Sequence, residues 1–233
     1  MDNDKIIKAV LRSQRCQRNW DLSKQIPQED MDVIAAAVTQ CPSKQNVTFY
    51  KPLFVTNREK IEEIHAASML AGTINKDSKE YVMRTQSQLL ANLLVVLVED
   101  HDPEDLDKSP CVMSHYTGTL PQDVIDSHIG YYNNDMDRML SLFEDDFKRD
   151  RATAVGIAAG YMNLAASLMG YSTGCCQCFD MPKVQKILGV RNQILLIMGI
   201  GFKDEKRNRR EHHTHPSEMF PTNQKNINVD VID

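Results

Sequence analysis

Apolar residues recur at helical spacing in several stretches of the chain and run unbroken in two others, and this alternation orders most of its elements. Residues 3–15 and 28–40 read as helices, the second with Met31, Ile34, Ala35 and Val38 on one face and Pro27 placed to start it. Residues 49–56 read as a strand with an internal proline, 58–70 as a helix and 78–91 as another helix. The run Leu-Leu-Val-Val-Leu-Val at 93–98 is apolar on both faces, so it requires cover on both sides and is expected at the centre of a sheet. Composition turns polar and irregular over 101–132, with Pro103, Pro110, Gly118 and Pro121, before helical periodicity returns over 135–149. The whole of 101–149 reads as a lid or insertion. A helix rich in small residues starts at Ala152, a loop bearing glycine and cysteine follows, then an apolar segment at 184–188 and a second buried strand at 193–200. Beyond Lys203 the tail is basic and then rich in histidine, and alternating Ile227, Val229 and Val231 read as an edge strand.

Composition narrows the class. At 233 residues and 42% hydrophobic content the chain can fill one large core, so residues 1–233 are expected to form a single domain. A total of 27 Lys and Arg against 32 Asp and Glu leaves a net charge of -5, which argues against a nucleic-acid footprint and makes any anion site a local one. The first residues lead into a polar helix rather than an apolar leader, and the six cysteines sit in a chain too large to depend on disulfides; free thiols and a cytoplasmic location are expected. The segment 152–170 is apolar, but it is the only one of its kind and carries Thr153, Asn163 and Ser167. A packed helix is expected, not a membrane span, and Gly156 with Gly160 would let another helix approach closely, as across a dimer axis.

Candidate chemistry lies in separated segments. Arg15-Cys16-Gln17-Arg18-Asn19-Trp20-Asp21 ends the first helix; alone it is a solvated basic helix end, although forked, permanently charged donors of this kind are what a buried phosphate requires. Arg12-Ser13-Gln14-Arg15 offers a competing register, and the later one is preferred. Cys41-Pro42-Ser43-Lys44-Gln45-Asn46 is a turn between helix and strand. Tyr81-Val82-Met83-Arg84 precedes Ser87, and in the expected helix Arg84 and Ser87 share a face. Residues 168–180 carry Gly170, Gly174, Gln177, Cys178 and Asp180, and Lys206-Arg207-Asn208-Arg209-Arg210 follows the last core strand.

In this order and at this spacing, the segments resemble the FMN-dependent nitroreductase family, over a span from Arg15 to about Arg210. The resemblance implies an α+β fold, with a central, mostly antiparallel sheet wrapped by helices, in an intertwined homodimer whose C-terminal extension is 211–233. It implies that FMN is the cofactor and NADH or NADPH the electron donor, and that a nitroaromatic, quinone or other electron-poor small molecule is the acceptor in a ping-pong reaction. No side chain is then catalytic, since flavin N5 carries the chemistry. Arg15, Cys16 and Arg18 would hold the FMN phosphate together with Arg207 and Arg209; Pro42, Ser43 and Asn46 would approach from the partner subunit. Arg84 and Ser87 would face the pyrimidine edge, with Gln177 and the Cys178 amide beside N5. The sequence departs from the family pattern at Cys16, where a serine is usual, at Gln177, where an acid is common, and at Cys178, where glycine is common. Relatives of this fold that dehalogenate iodotyrosine, fragment flavin or keep the fold without turnover are the alternative. Two other classes are weaker: a metal site from Cys175, Cys176 and Cys178 with His212, His213 and His215, whose spacing does not match a zinc knuckle, and a Cys-His hydrolase, for which no thiol is set beside a base.

Overall fold

A computed structural model describes residues 2–14, 16–43, 49–68, 71–74, 81–84, 86–100 and 136–206. Its elements are α1 (Asn3–Ser13), α2 (Gln28–Thr39), β1 (Tyr50–Val55), α3 (Arg58–Ala66), β2 (Ala71–Ile74), β3 (Tyr81–Arg84), a 3-10 turn (Ser87–Leu90), β4 (Leu93–Glu99), α4 (Met136–Leu168), β5 (Ser172–Cys176), α5 (Met181–Leu188) and β6 (Ile194–Gly201). Local chemistry fixes several boundaries. The Asn57 side chain accepts from the Lys60 amide to start α3, and Asp180 does the same for Lys183 at the start of α5, where Pro182 adds a preset backbone angle. Gly189 closes α5 at φ 68 and Gly170 turns the chain from α4 into β5 at φ 98, a left-handed region that glycine enters without strain.

Four strands form a fully antiparallel sheet in the order β1-β4-β6-β5, with a separate β2-β3 hairpin. The apolar run at 93–98 is central as expected: every residue of β4 is buried, and alternate side chains enter opposite layers. Leu93, Val95 and Leu97 meet Ile34 and Val38 of α2 and Ala154, Ala158 and Met162 of α4, whereas Leu94, Val96 and Val98 meet Ile61 and Ile64 of α3 and Val184 of α5. The helices therefore cover both faces, an α+β architecture with five helices among the described residues.

Three expectations change. Residues 81–84 are a strand paired with 71–74, not part of a helix over 78–91, and only Ser87–Leu90 is helical, as a single 3-10 turn. Backbone pairing with 71–74 therefore overrides the helical reading of this stretch. Arg84 ends β3 and Ser87 opens the turn, so the two do not share a helix face. The expected loop after Gly170 is instead the edge strand β5, registered on β6 from Ser172↔Gly201 to Cys176↔Ile197. The two helical stretches at 135–149 and from Ala152 are one helix of 33 residues, about 50 Å long. Beyond the described residues lie 101–135 of the insertion, the tail with its proposed edge strand at 227–231, and Arg15, Asn46, Arg207 and Arg209.

Candidate functional site

A strap, a turn and an edge strand converge at one end of the sheet. After α1, residues 16–21 cross the outer edge of β5: Cys16 bridges Thr173 in parallel, the Gln17 amide donates to the Thr173 carbonyl at 2.7 Å, and Trp20 then bridges Lys203 beyond β6. The 3-10 turn is laid on the same region from the other side. Trp20 Nε1 donates to the Ser87 carbonyl at 2.9 Å, which ties turn to strap.

Glycines make this close stacking possible. A Cβ on Gly174 would stand 2.8 Å from both the Gln17 carbonyl oxygen and Gln88 Cβ, and one on Gly199 would stand 2.2 Å from the Gln88 carbonyl oxygen. The sheet floor is bare backbone where strap and turn rest on it.

Between strap and turn lies a dense buried polar group: Gln17, Asn19, Gln86, Ser87 and Gln88. Arg18 extends a half-buried guanidinium into it, and its Nη1 donates to Gln88 Oε1 at 2.5 Å and to Gln86 Oε1 at 3.2 Å. Gln88 Nε2 donates to Gln86 Oε1 at 3.2 Å and to the Cys175 carbonyl at 3.5 Å, which carries the network onto β5. Ser68, just after α3, is a hub beneath: its Oγ accepts from the Gln86 amide at 2.9 Å, while its backbone bridges Phe179. Ser87 Oγ is buried without a hydrogen-bond partner among the described residues, and an orphaned donor in such a place is a polar atom waiting for a ligand or water.

Three of the segments singled out from sequence thus meet here: Arg18 with Cys16 on the strap, Ser87 on the turn, and the stretch from Cys176, the last residue of β5, to Cys178. Gln177 and Cys178 are exposed; Gln177 Nε2 donates to the Leu195 carbonyl at 3.1 Å, and the Cys178 amide donates to Cys176 Sγ at 3.3 Å. Burial pushes the Cys176 thiol up to about 11, although the Arg18 charge pulls it the other way. That value leaves almost no thiolate at neutral pH and speaks against Cys176 as a nucleophile. Arg12 and Ser13 of the competing register are engaged elsewhere, Arg12 with the Ser167 carbonyl at 3.1 Å and Ser13 Oγ with the Val10 carbonyl at 2.7 Å. Among the described residues no group of histidine, cysteine and acid could hold a metal ion, and no helix is long and apolar enough to cross a membrane.

Pro42 and Ser43 stand apart. They follow Cys41, whose Sγ lies 2.9 Å from Tyr50 Oη on β1, and β1 is the opposite edge of the sheet from β5. Arg84 lies at the end of β3, paired with Ala71. Gln86, Gln88 and Ser68 were not singled out from sequence. The only trace of them was indirect: Gly174 and Gly199 inside strands announce that something approaches the sheet closely.

The sequence matches the model of the nitroreductase family over residues 11–202. The chain belongs to the nitroreductase family. Comparison with curated proteins gives no match. Among solved structures, it is similar to a nitroreductase-like protein from Streptococcus mutans at a TM-score of 0.62 and 16% identity, with 100% of both chains covered. A candidate nitroreductase in complex with FMN from Exiguobacterium sibiricum aligns at 0.56 and 16% identity, covering 99% of this chain and 94% of that one. A candidate NAD(P)H:FMN oxidoreductase from Staphylococcus epidermidis aligns at 0.55 and 17%, covering 94% of each. Identities this low establish the shared fold.

Proposed function

We propose that this chain is an FMN-dependent oxidoreductase, active as a homodimer, that moves electrons from NADH or NADPH to an electron-poor small molecule such as a nitroaromatic or quinone in a ping-pong scheme. The observation that carries the reading is the meeting of Arg18, orphaned Ser87 Oγ and the buried amides on the β5–β6 floor, in a chain of the nitroreductase family. A half-buried cation near the unpartnered Ser87 hydroxyl fits a ligand that is anionic at one end and rich in polar edges, as FMN is. The neighbours crystallised with FMN or named for NAD(P)H:FMN chemistry support the same reading.

In this reading Arg18, with Arg15, Cys16, Arg207 and Arg209, holds the phosphate. Ser87 and Arg84 address the ring's pyrimidine edge, and Gln177 and Cys178 lie beside N5. Bound flavin supplies the two-electron chemistry; the protein's residues bind, orient and exclude water, and none is assigned as a general base. Pro42 and Ser43 serve the partner's site, because they sit by the β1 edge, across the sheet from Arg18, and Asn46 is assigned with them. Gly156 and Gly160, on an exposed face of α4 with nothing within 4 Å of an added Cβ, suit close helix contact in that dimer. Residues 1–233 then form one flavin domain, with 101–149 as its lid and 211–233 as an extension, in the cytoplasm. The hydrogen bonds that engage Gln177 and Cys178 within the chain favour, as a second reading, a member that binds flavin with specialised or no turnover.

Purified protein is expected to be yellow with a flavin spectrum and to oxidise NAD(P)H when a nitro or quinone acceptor is added. Colourless protein that does not take up FMN would overturn the assignment, and yellow protein without turnover would select the second reading.

A further inference from the structure

We propose that Cys176 and Cys178 are a modification site, a dithiol that closes reversibly to a disulfide when it meets a small-molecule disulfide. The bridge stands independently of the flavin reading; only its bearing on flavin rests on that reading.

Four of the five cysteines among the described residues gather at the edge of β5: Cys16 on the strap, Cys175 and Cys176 in the strand, and Cys178 just beyond it. Their directions sort partners from bystanders. Successive side chains of a strand leave on opposite faces, so Cys175 points away from Cys176. Cys16 Sγ lies 3.3 Å from where a Cβ on Gly174 would stand, a full pleat short of Cys176, and reaches only the Cys175 carbonyl, at 4.0 Å. The Cys176 sulfur instead folds forward onto residue 178. It accepts from the Cys178 amide at 3.3 Å and donates to the Cys178 carbonyl at 3.6 Å. The first contact alone puts it within about 4.8 Å of the Cys178 Cα, because the N–Cα bond adds at most about 1.5 Å. Two steps of chain span about 7 Å at full extension, close to the upper end of the window of about 4.4–6.8 Å between the Cα atoms of a disulfide. Cys178 is exposed, so no packing fixes its rotamer, and the motion left is a turn of that side chain.

Exposure sets the order of events. Cys178 meets the reagent first: its thiolate attacks one sulfur of the small disulfide, a mixed disulfide forms and one small thiolate leaves. Cys176 then gives its proton to water and attacks the Cys178 sulfur, and the second small thiolate leaves. Two protein thiols are oxidised, one small disulfide is reduced to two thiols, and excess small thiol runs the sequence backwards. Burial pushes the Cys176 thiol up to about 11 and keeps it from reagents in solution. Its sulfur already rests against the residue it must attack, and that proximity offsets the scarcity of thiolate. Closure takes the sulfur from the Cys178 amide and encloses Gln177, whose side chain donates to the Leu195 carbonyl at 3.1 Å. The bridge therefore reshapes the stretch that the flavin reading places beside N5. A transient, redox-responsive disulfide is also the kind a reducing compartment tolerates.

The test exposes the purified full chain to excess glutathione disulfide, quenches it in acid, unfolds it, alkylates every free thiol and maps the peptides by mass. The peptide bearing Cys175, Cys176 and Cys178 is expected to lose two alkylation sites and keep one, at Cys175, and dithiothreitol given before the quench should restore all three. Cys178→Ser changes an exposed side chain and leaves the core alone; in that variant Cys176 is expected to stay fully alkylatable. Three alkylated cysteines in the oxidised wild type, a Cys178 that stops as the glutathione mixed disulfide, or a bridge to Cys16 or Cys175 would each overturn the inference. A chain that forms this bridge yet takes up no FMN would leave the inference standing and remove only the flavin reading.

Discussion

Gly199→Ala is the substitution that best tests how the sheet floor supports the site. Gly199 lies on β6 between Leu94 of β4 and Gly174 of β5, so its strand is pinned on both sides and cannot retreat. The added methyl would stand 2.2 Å from the Gln88 carbonyl oxygen and 2.9 Å from Ala91 Cβ. Relief requires the 86–91 turn to rise by about 1 Å, since the obstacle on one side is backbone and no rotamer change removes it. Overpacking of this kind costs about 1–3 kcal/mol, and the lack of a side-chain escape places this case near 3. For a chain of this size that is a fall in melting temperature of about 6–12 °C. The same displacement would carry Gln88 Oε1, now 2.5 Å from Arg18 Nη1, to the limit of hydrogen bonding. Thermal unfolding of the flavin-free protein at fixed concentration reads the first effect, and FMN titration below the melting range reads the second. A variant that melts within about 2 °C of wild type and binds FMN equally well would refute the close stacking of turn on sheet.

Glu99→Gln should be costly for a different reason: Glu99 is 3% exposed and ion-paired with Arg151, so its loss leaves a partly buried cation without its counter-charge, at a cost of about 3 kcal/mol, read by urea unfolding; a loss below about 1 kcal/mol would show the pair to be solvated. Cys176 should resist iodoacetamide at pH 7 in the folded protein and label faster by about tenfold per pH unit up to about 11, its raised value; rapid labelling at neutral pH, read by peptide mass mapping, would contradict its burial. If each flavin site draws Arg18 from one subunit and the Ser43 turn from the other, refolding Arg18→Ala together with Ser43→Trp should restore FMN binding to about a quarter of sites, because half the dimers are mixed and each of those has one intact site. Absence of restoration, when each variant alone is defective, would place both residues in the same subunit's site.

The elements legible in the sequence were those whose signal is local. The run at 93–98 announced a central strand, since apolar residues on both faces admit no other place, and Pro27 marked the start of α2 by its own chemistry. What was not legible depended on partners remote in the chain. Tyr81–Arg84 is a strand because Ala71–Ile74 pairs with it, and nothing within 78–91 records that partner. Residues 150–151 read as a break between two helices, at 135–149 and from Ala152, yet α4 passes through them. In the site, Arg18 could be picked out as a forked cation in the segment that resembles the family's N-terminal pattern, whereas Gln86 and Gln88 resemble any exposed glutamine in a sequence. Their burial comes from Gly174 and Gly199, more than 80 residues away, which remove the side chains that would have held the turn off the sheet.

That dependence explains how the chain tolerates an arrangement that is poor for stability on its own terms. A half-buried guanidinium loses hydration on leaving bulk water. An unpartnered Ser87 hydroxyl adds a further penalty of about 1–3 kcal/mol if no water reaches it. The surrounding structure is correspondingly rigid: β6 is a central strand, β5 is pinned between β6 and the strap, Trp20 locks the turn, and Ser68 holds Gln86 from below. An anionic ligand that engages Arg18 and Ser87 would remove both penalties at once, and this gain would add to its binding free energy while belonging to the protein's stability. Occupancy and stability are therefore linked through the same few atoms, so the loaded protein must unfold at higher temperature than the empty one, and the difference must shrink when Arg18 is removed.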